Sequence, residues 1–203
     1  MQVLLATANQ GKVKELVGML KGEEISVLSL NDFPDFPEVE ETGLTFAENA
    51  LLKARAAASW AGLVALADDS GLEVDALGGK PGVFSARYAG EPKDDEKNIV
   101  KLLAELEGKP EKERTARFRC CLAIVCPVTG QEFLTEGKVE GRILQAKRGT
   151  GGFGYDPIFY LPELQKTMAE LSLAEKNTIS HRAQAFQQAI PILRELKLRR
   201  EIP

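Results

Sequence analysis

The chain has 203 residues, with 26 Lys plus Arg against 30 Asp plus Glu, so its formal net charge is −4 with the single histidine neutral. At 44% hydrophobic and 28% charged residues the composition is soluble and globular, neither disordered nor fibrous, and long enough to bury a proper core. An acidic balance lacks the basic excess needed to coat nucleic acid or an anionic membrane, so no stable complex with either is expected, although a local cluster of Lys and Arg stays compatible with it.

Cys120, Cys121 and Cys126 lie in one short segment, an odd number without framework spacing. That favours a reducing, cytoplasmic setting over a disulfide-stapled secreted protein. Neighbouring Cys120 and Cys121 on a strand face opposite ways, which leaves Cys126 and His181 as the easy partners for zinc, too few for a structural site. The start MQVLLATANQ has no basic n-region and no long apolar core, and nowhere do about 18 apolar residues run together, so neither export nor a membrane span is expected.

The first predicted element is a strand, Val3 to Ala6, followed by the polar turn Thr7-Ala8-Asn9-Gln10-Gly11. Val13, Leu16, Val17 and Leu20 then repeat at helical spacing and are expected to face inward, with Gly22 ending the helix. Ile25 to Leu30 is a second strand, and Asp32 to Gly43, with Pro34 and Pro37, is an exposed acidic connection. Thr45-Phe46-Ala47-Glu48 has capping-box spacing and opens an Ala-rich helix running to about Gly62. Leu63 to Ala67 has the uninterrupted apolar character of a strand covered on both faces, and it is expected to empty into a polar turn, Asp68-Asp69-Ser70-Gly71. Gly78 to Gly90 is a loop, and Ile99, Val100, Leu102, Leu103 and Leu106 mark a third helix. Beyond a charged linker, Phe118 to Val125 and Glu132 to Ile143 resemble a hairpin. A last strand, Ile158 to Leu161, follows a glycine-rich interruption, and a C-terminal helix from about Ser180 turns Phe186, Ala189, Ile190 and Leu193 inward, with Pro191 expected to kink it. Alternating strands and helices followed by a hairpin-rich half predict an α/β protein with a mixed sheet. Ligands of such sheets collect outside the carboxyl ends of strands, where the Thr7 and Asp68 segments are placed by this reading.

Three segments carry chemistry. Thr7 to Lys12 joins a strand to a helix start, where free N–H groups and the positive dipole end suit a phosphate and Lys12 adds a full charge. It is not a Walker loop, because Ala6 stands where the first glycine belongs and Val13 where Ser or Thr does. Asp68 and Asp69 follow a buried strand, where two carboxylates need solvent or a cation, and Glu40 or Glu41 could complete an oxygen set suited to Mg²⁺. Gly149 to Pro157 combines four glycines with Phe153 and Tyr155, whose flat faces could stack a base. Ser180-His181-Arg182 brings the only histidine beside an arginine, and Lys53 and Lys176 are unremarkable taken alone.

Taken together, TANQGK, EETGLTFAENALLKA, ADDSGLEVDALGGKPGVFSARYAG, GTGGFGYDPIF and EKNTISHRAQA, in this order across essentially the whole chain, resemble the inosine triphosphate pyrophosphatase family. The resemblance implies one domain over residues 1–203, an elongated α/β fold of two lobes around a mixed central sheet with flanking helices and a cleft, a homodimer, and Mg²⁺-dependent hydrolysis of ITP, dITP and XTP to the monophosphate and pyrophosphate. Position by position, it places Thr7, Ala8, Asn9, Gln10, Gly11 and Lys12 around the triphosphate, with Lys53 also reaching it. It makes Asp69 the catalytic acidic residue and a metal ligand, Glu41 a carboxylate near the metal, and Ser70 a substrate contact. Phe153, Gly154, Tyr155 and Asp156 match the nucleoside loop, and Lys176, His181 and Arg182 the base-end contacts. Two other readings compete with it: a septum-inhibitor type pyrophosphatase favouring pyrimidine nucleotides, and a nucleotide-binding module without hydrolysis.

Overall fold

Seven strands appear in the computed structural model, which describes residues 1–198: β1 (Gln2–Leu5), β2 (Ser26–Ser29), β3 (Val64–Val74), β4 (Thr115–Val125), β5 (Glu132–Ile143), β6 (Phe159–Leu161) and β7 (Lys166–Thr167). They form one sheet in the order β2-β1-β3-β4-β5-β6-β7. Val3 pairs in parallel with both Val27 and Val64, whereas Arg142 pairs antiparallel with Tyr160, and Tyr160 with Thr167. The sheet is therefore mixed, as the change of pattern along the sequence predicts. Five α-helices accompany it: α1 (Gln10–Met19), α2 (Phe46–Ala61), α3 (Asp95–Glu105), α4 (Leu173–Ile179) and α5 (His181–Leu198).

The chain divides into two compact units. One comprises Met1–Asp69, Cys120–Gly137 and the segment from Arg182 on; the other comprises Ser70–Arg119 and Lys138–His181. In the first, Leu16 and Leu20 of α1 and Phe186, Ala189 and Leu193 of α5 pack with Val3, Leu5, Val64 and Leu66. Cys120, Leu122, Ile124 and Cys126 join the same core at the period-two spacing of one strand face. All three cysteines are buried free thiols, and burial pushes the Cys120 thiol up to about 12. In the second unit, Leu72, Val74, Ile99, Leu102, Phe118, Phe159 and Met168 form the core, with the Phe118 and Phe159 rings 4.4 Å apart.

Local chemistry explains the helix ends. Thr45 and Glu48 make the predicted capping box of α2, which closes on Gly62 in the left-handed region. A second box, Ser172 with Glu175, opens α4, a short helix absent from the sequence reading, as is the two-residue β7. α5 stays helical through Pro191.

Two departures bear on the site. β3 does not end at Ala67 but runs through Asp68-Asp69-Ser70-Gly71 to Val74, so the expected polar turn is the middle of a strand. The strand tolerates two buried carboxylates there because each meets a fixed cation. On α1, Val17 is 44% exposed while Glu15 is 4% exposed, the reverse of the hydrophobic pattern. Glu15 turns inward because the Arg182 guanidinium awaits it.

Candidate active site

The first cluster lies wholly in the first unit. β1 delivers the chain to Thr7, whose Oγ1 accepts a hydrogen bond from the Asn9 N–H at 3.2 Å. Asn9 caps α1, its Oδ1 accepting from the N–H groups of Gly11 at 2.9 Å and Lys12 at 3.2 Å. Ala8 and Gln10 are exposed beside them. The Lys12 ammonium lies 2.9 Å from Asp68 Oδ2. Burial, helped by Lys53 and Arg182, holds the Lys12 pKa below the usual lysine value against the pull of Asp68.

Adjacent residues on a strand face opposite ways, and Asp68 and Asp69 accordingly have separate partners. Asp68 Oδ2 is shared between Lys12 and Arg182 Nε, the latter at 3.2 Å, and Arg182 Nη1 also donates to Glu15. Asp69 accepts from Lys53 Nζ at 3.3 Å on one oxygen and from Asn49 Nδ2 at 3.2 Å on the other. Lys53 Nζ lies 2.6 Å from Glu41 Oε1 and donates to the Asp68 carbonyl at 3.0 Å. Glu40 is exposed, so Glu41 is the carboxylate of the acidic connection that enters the cluster. Its place is secured nearby by Asn49, whose Oδ1 accepts the Gly43 N–H at 2.8 Å. A Cβ at Gly43 would stand 2.6 Å from that same oxygen, so only glycine admits the approach.

Four carboxylates, Glu15, Glu41, Asp68 and Asp69, thus face three cations, Lys12, Lys53 and Arg182. Burial, and then the neighbouring Glu41, hold the Asp69 carboxyl above the usual carboxylate range, against Lys53, Lys12 and Asn49. For Arg182, burial opposes the charge, but Asp68 and Glu15 outweigh it and raise the pKa. Among the described residues, no group of three or more His, Cys, Asp or Glu could hold a metal. The excess of one negative charge, and two carboxylates converging on one ammonium, nevertheless suit a divalent cation that takes its remaining oxygens from water or phosphate.

The second cluster belongs to the second unit. Asp156 Oδ2 accepts from the Phe153 N–H at 3.0 Å and from Lys176 Nζ at 2.8 Å. Lys176 Nζ also lies 5.3 Å from the centroid of the half-buried Phe153 ring. The Gly154 N–H donates to Asp95 Oδ2 at 2.8 Å. Tyr155 departs from expectation: it is 4% exposed, its ring joins the core and its hydroxyl donates to the Ser85 carbonyl at 2.9 Å, so it offers no platform for a base. Of the two aromatic residues, only Phe153 keeps that possibility. His181 is buried, its ring stacked on Phe118 with centroids 4.9 Å apart. Ser70 is half-buried on β3.

Gly152 has a φ of +75°, and a Cβ there would run into the Asp156 carboxylate. Gly152→Ala is therefore expected to displace Asp156, release Lys176 and Phe153, and cost roughly 1–3 kcal/mol through the strained backbone. With ITP, the nucleotide that the resemblance implies, KM should rise more than kcat falls; an unchanged KM would show that the loop does not meet that nucleotide.

A family profile described as the Ham1 family matches residues 3–192. The chain belongs to the Ham1 family. It is 56% identical over 202 residues to a dITP/XTP pyrophosphatase of Desulforamulus reducens, covering 100% of both chains. It is 57% identical over 185 residues to a dITP/XTP pyrophosphatase of Geobacter sulfurreducens, covering 91% of this chain and 92% of the relative. Among solved structures, the Ham1 protein of Staphylococcus aureus superposes with a TM-score of 0.84 at 45% identity, over 97% of this chain and 100% of that one. A HAM1 protein from Coxiella burnetii gives 0.86 at 45% identity, over 96% and 99%. The α/β fold with a mixed sheet is thus the Ham1 fold.

Within this Ham1 chain, Lys12, Glu41, Lys53 and Asp69 fall together with Asp68, while Phe153, Asp156 and Lys176 form their own group. Arg182, expected at the base end, has its guanidinium engaged by Asp68 and Glu15 in the unit that carries Thr7 to Lys12. Three polar residues escaped the sequence reading. Glu15 stands three residues after Lys12 and looks like one half of a surface ion pair. Asn49 hides inside an Ala-rich helix, where its burial was the missing signal. Asp95, after the N-cap Asp94, passes for ordinary helix-start acidity.

Proposed function

We propose that this chain hydrolyses ITP, dITP and XTP to the nucleoside monophosphate and pyrophosphate, removing them before they enter DNA or RNA. The observation that carries the reading is the cluster on β3, in which Asp69, Glu41, Lys53 and Lys12 meet beside a helix start, in a chain whose nearly full-length relatives are named dITP/XTP pyrophosphatases. The N-terminus of α1 and Lys12 receive phosphoryl oxygens, which bring several negative charges that fixed donors must meet. Asp69, fixed by Asn49, orients a water for attack and accepts its proton on a carboxylate oxygen. Glu41 and Asp69 would hold Mg²⁺, which when bound neutralises charge on the phosphates. Lys12 stabilises the departing pyrophosphate.

At the base end, Lys176, placed by Asp156, and His181 supply donors that reward the 6-oxo group of hypoxanthine and xanthine and stay unsatisfied against the adenine amino group. Sites of this kind discriminate by roughly 10⁴. Guanine shares the 6-oxo group, so rejection of GTP depends on the surroundings of the 2-position. We also infer a homodimer working in the cytoplasm. The buried free thiols fit a reducing compartment, and no helix among the described residues is long and apolar enough to cross a membrane.

Incubation with Mg²⁺ and a nucleotide panel tests the reading. Pyrophosphate from ITP, dITP and XTP, with little from ATP or dTTP, is the expected result. Preference for pyrimidine nucleotides would move the chain to a septum-inhibitor type of activity, orthophosphate alone would make it a stepwise phosphatase, and no product would leave a binding module.

A further inference from the structure

The Lys53 ammonium has three N–H donors and three oxygens around it: Glu41 Oε1 at 2.6 Å, the Asp68 carbonyl at 3.0 Å and Asp69 Oδ1 at 3.3 Å. Its side chain is 15% exposed, and although burial opposes its charge, Asp69, Glu41 and Asp68 outweigh burial and keep it cationic. The arrangement has two consequences that conflict. A lysine using every donor on protein oxygens has none left for a phosphate. The carboxylates that suit a divalent cation are, in turn, already neutralised by that lysine.

We propose that Lys53 is the resident counter-ion of Glu41 and Asp69, which a divalent cation must displace, and that the arriving triphosphate supplies the displaced ammonium with new acceptor oxygens. The proposal rests on the pyrophosphatase reading for the identity of that anion. Metal and lysine cannot share the two carboxylates, because like charges a few ångströms apart in a partly buried site repel strongly. The carboxylates do not follow the lysine out: Asp69 Oδ2 is tied to Asn49, and Asn49 also ties the backbone at Gly43, two residues after Glu41. Lys12 stays on Asp68, a separate acceptor on the other face of β3. Metal loading and nucleotide arrival thereby become mutually dependent, and the free enzyme is spared a tightly held metal ion.

The test uses Mn²⁺ as probe, its binding followed by electron paramagnetic resonance on the full chain without nucleotide. Lys53→Met, which keeps length and removes charge, is expected to bind Mn²⁺ at least about tenfold more tightly than the wild type. Lys53→Arg, which retains a cation, should bind as weakly as the wild type. Adding Glu41→Gln to Lys53→Met should abolish the gain. Should Lys53→Met not fold by circular dichroism, Lys53→Gln takes its place. In addition, an ITP analogue with a methylene in place of the α–β bridging oxygen should tighten Mn²⁺ binding to the wild type by a larger factor than to the uncharged variant. Uncharged variants that bind Mn²⁺ no better than the wild type, or a gain that survives Glu41→Gln, would overturn the proposal. Pyrophosphate release by the wild type is scored separately: absence of release together with the Mn²⁺ gain would overturn the pyrophosphatase reading and leave the counter-ion role standing.

Discussion

Asp69→Asn is expected to lower kcat for ITP by roughly 10²–10⁴, the usual worth of a positioned general base, with KM changed only a few fold. The amide keeps the shape of the carboxylate and can still accept from Lys53 or from Asn49, so the strand and the lysine should stay in place. What disappears is the negative charge and the capacity to take a proton from water. Partial compensation comes from the cluster itself, whose four carboxylates against three cations become three against three, so the folded state should not suffer. Steady-state kinetics with ITP, alongside a thermal melt, separate the two effects. Turnover near the wild-type value in a folded Asp69→Asn protein would remove Asp69 from the chemistry.

Arg182→Met should act in the opposite way, through stability. Its guanidinium is buried and pairs with both Asp68 and Glu15, each buried in turn. Removing one partner of a buried ion pair leaves charge without compensation and costs about 3–5 kcal/mol. For a chain of this size that corresponds to a fall in Tm of roughly 6–20 °C. Adding Glu15→Met should recover part of the loss, since Asp68 keeps Lys12 and an apolar pair can replace a buried ionic one. Kinetics decide whether the arginine also reads the base. A kcat/KM ratio of ITP to ATP that is unchanged in the folded fraction makes Arg182 an organiser of the carboxylates, whereas an eroded ratio returns it to base recognition.

How far these features were legible in the sequence varied with the physics behind them. β5 could be placed residue for residue and α2 within one, because alternation, a capping box and a terminal glycine are local signals that agree with one another. Asp68 and Asp69 were found as chemistry but misplaced as a turn, since a pair of carboxylates breaks a strand unless distant cations neutralise it, and Lys12, Lys53 and Arg182 are 56, 16 and 114 residues away from the groups they meet. Glu15 on α1 was hidden for the same reason. Val100 was assigned to the helix correctly but lies exposed on it, an ordinary fate for a single apolar side chain. In the glycine-rich segment the aromatic residues were conspicuous, yet which of them is structural depended on a carbonyl at Ser85, far off in sequence.

The unbroken course of β3 through its two aspartates has a consequence for how the chain can vary in length. Because neighbouring residues on a strand alternate faces, inserting one residue between Val64 and Ala67 would put Asp68 where Asp69 stands, against Lys53 and Asn49, whereas deleting one would hand the proposed catalytic carboxylate, Asp69, to Lys12 and Arg182. A substitution in that stretch alters one side chain, but a change of length by one alters the role of every residue after it. The segment from Asp32 to Glu38, largely exposed and outside any strand, has no such parity to keep and can absorb gains and losses that the strand cannot.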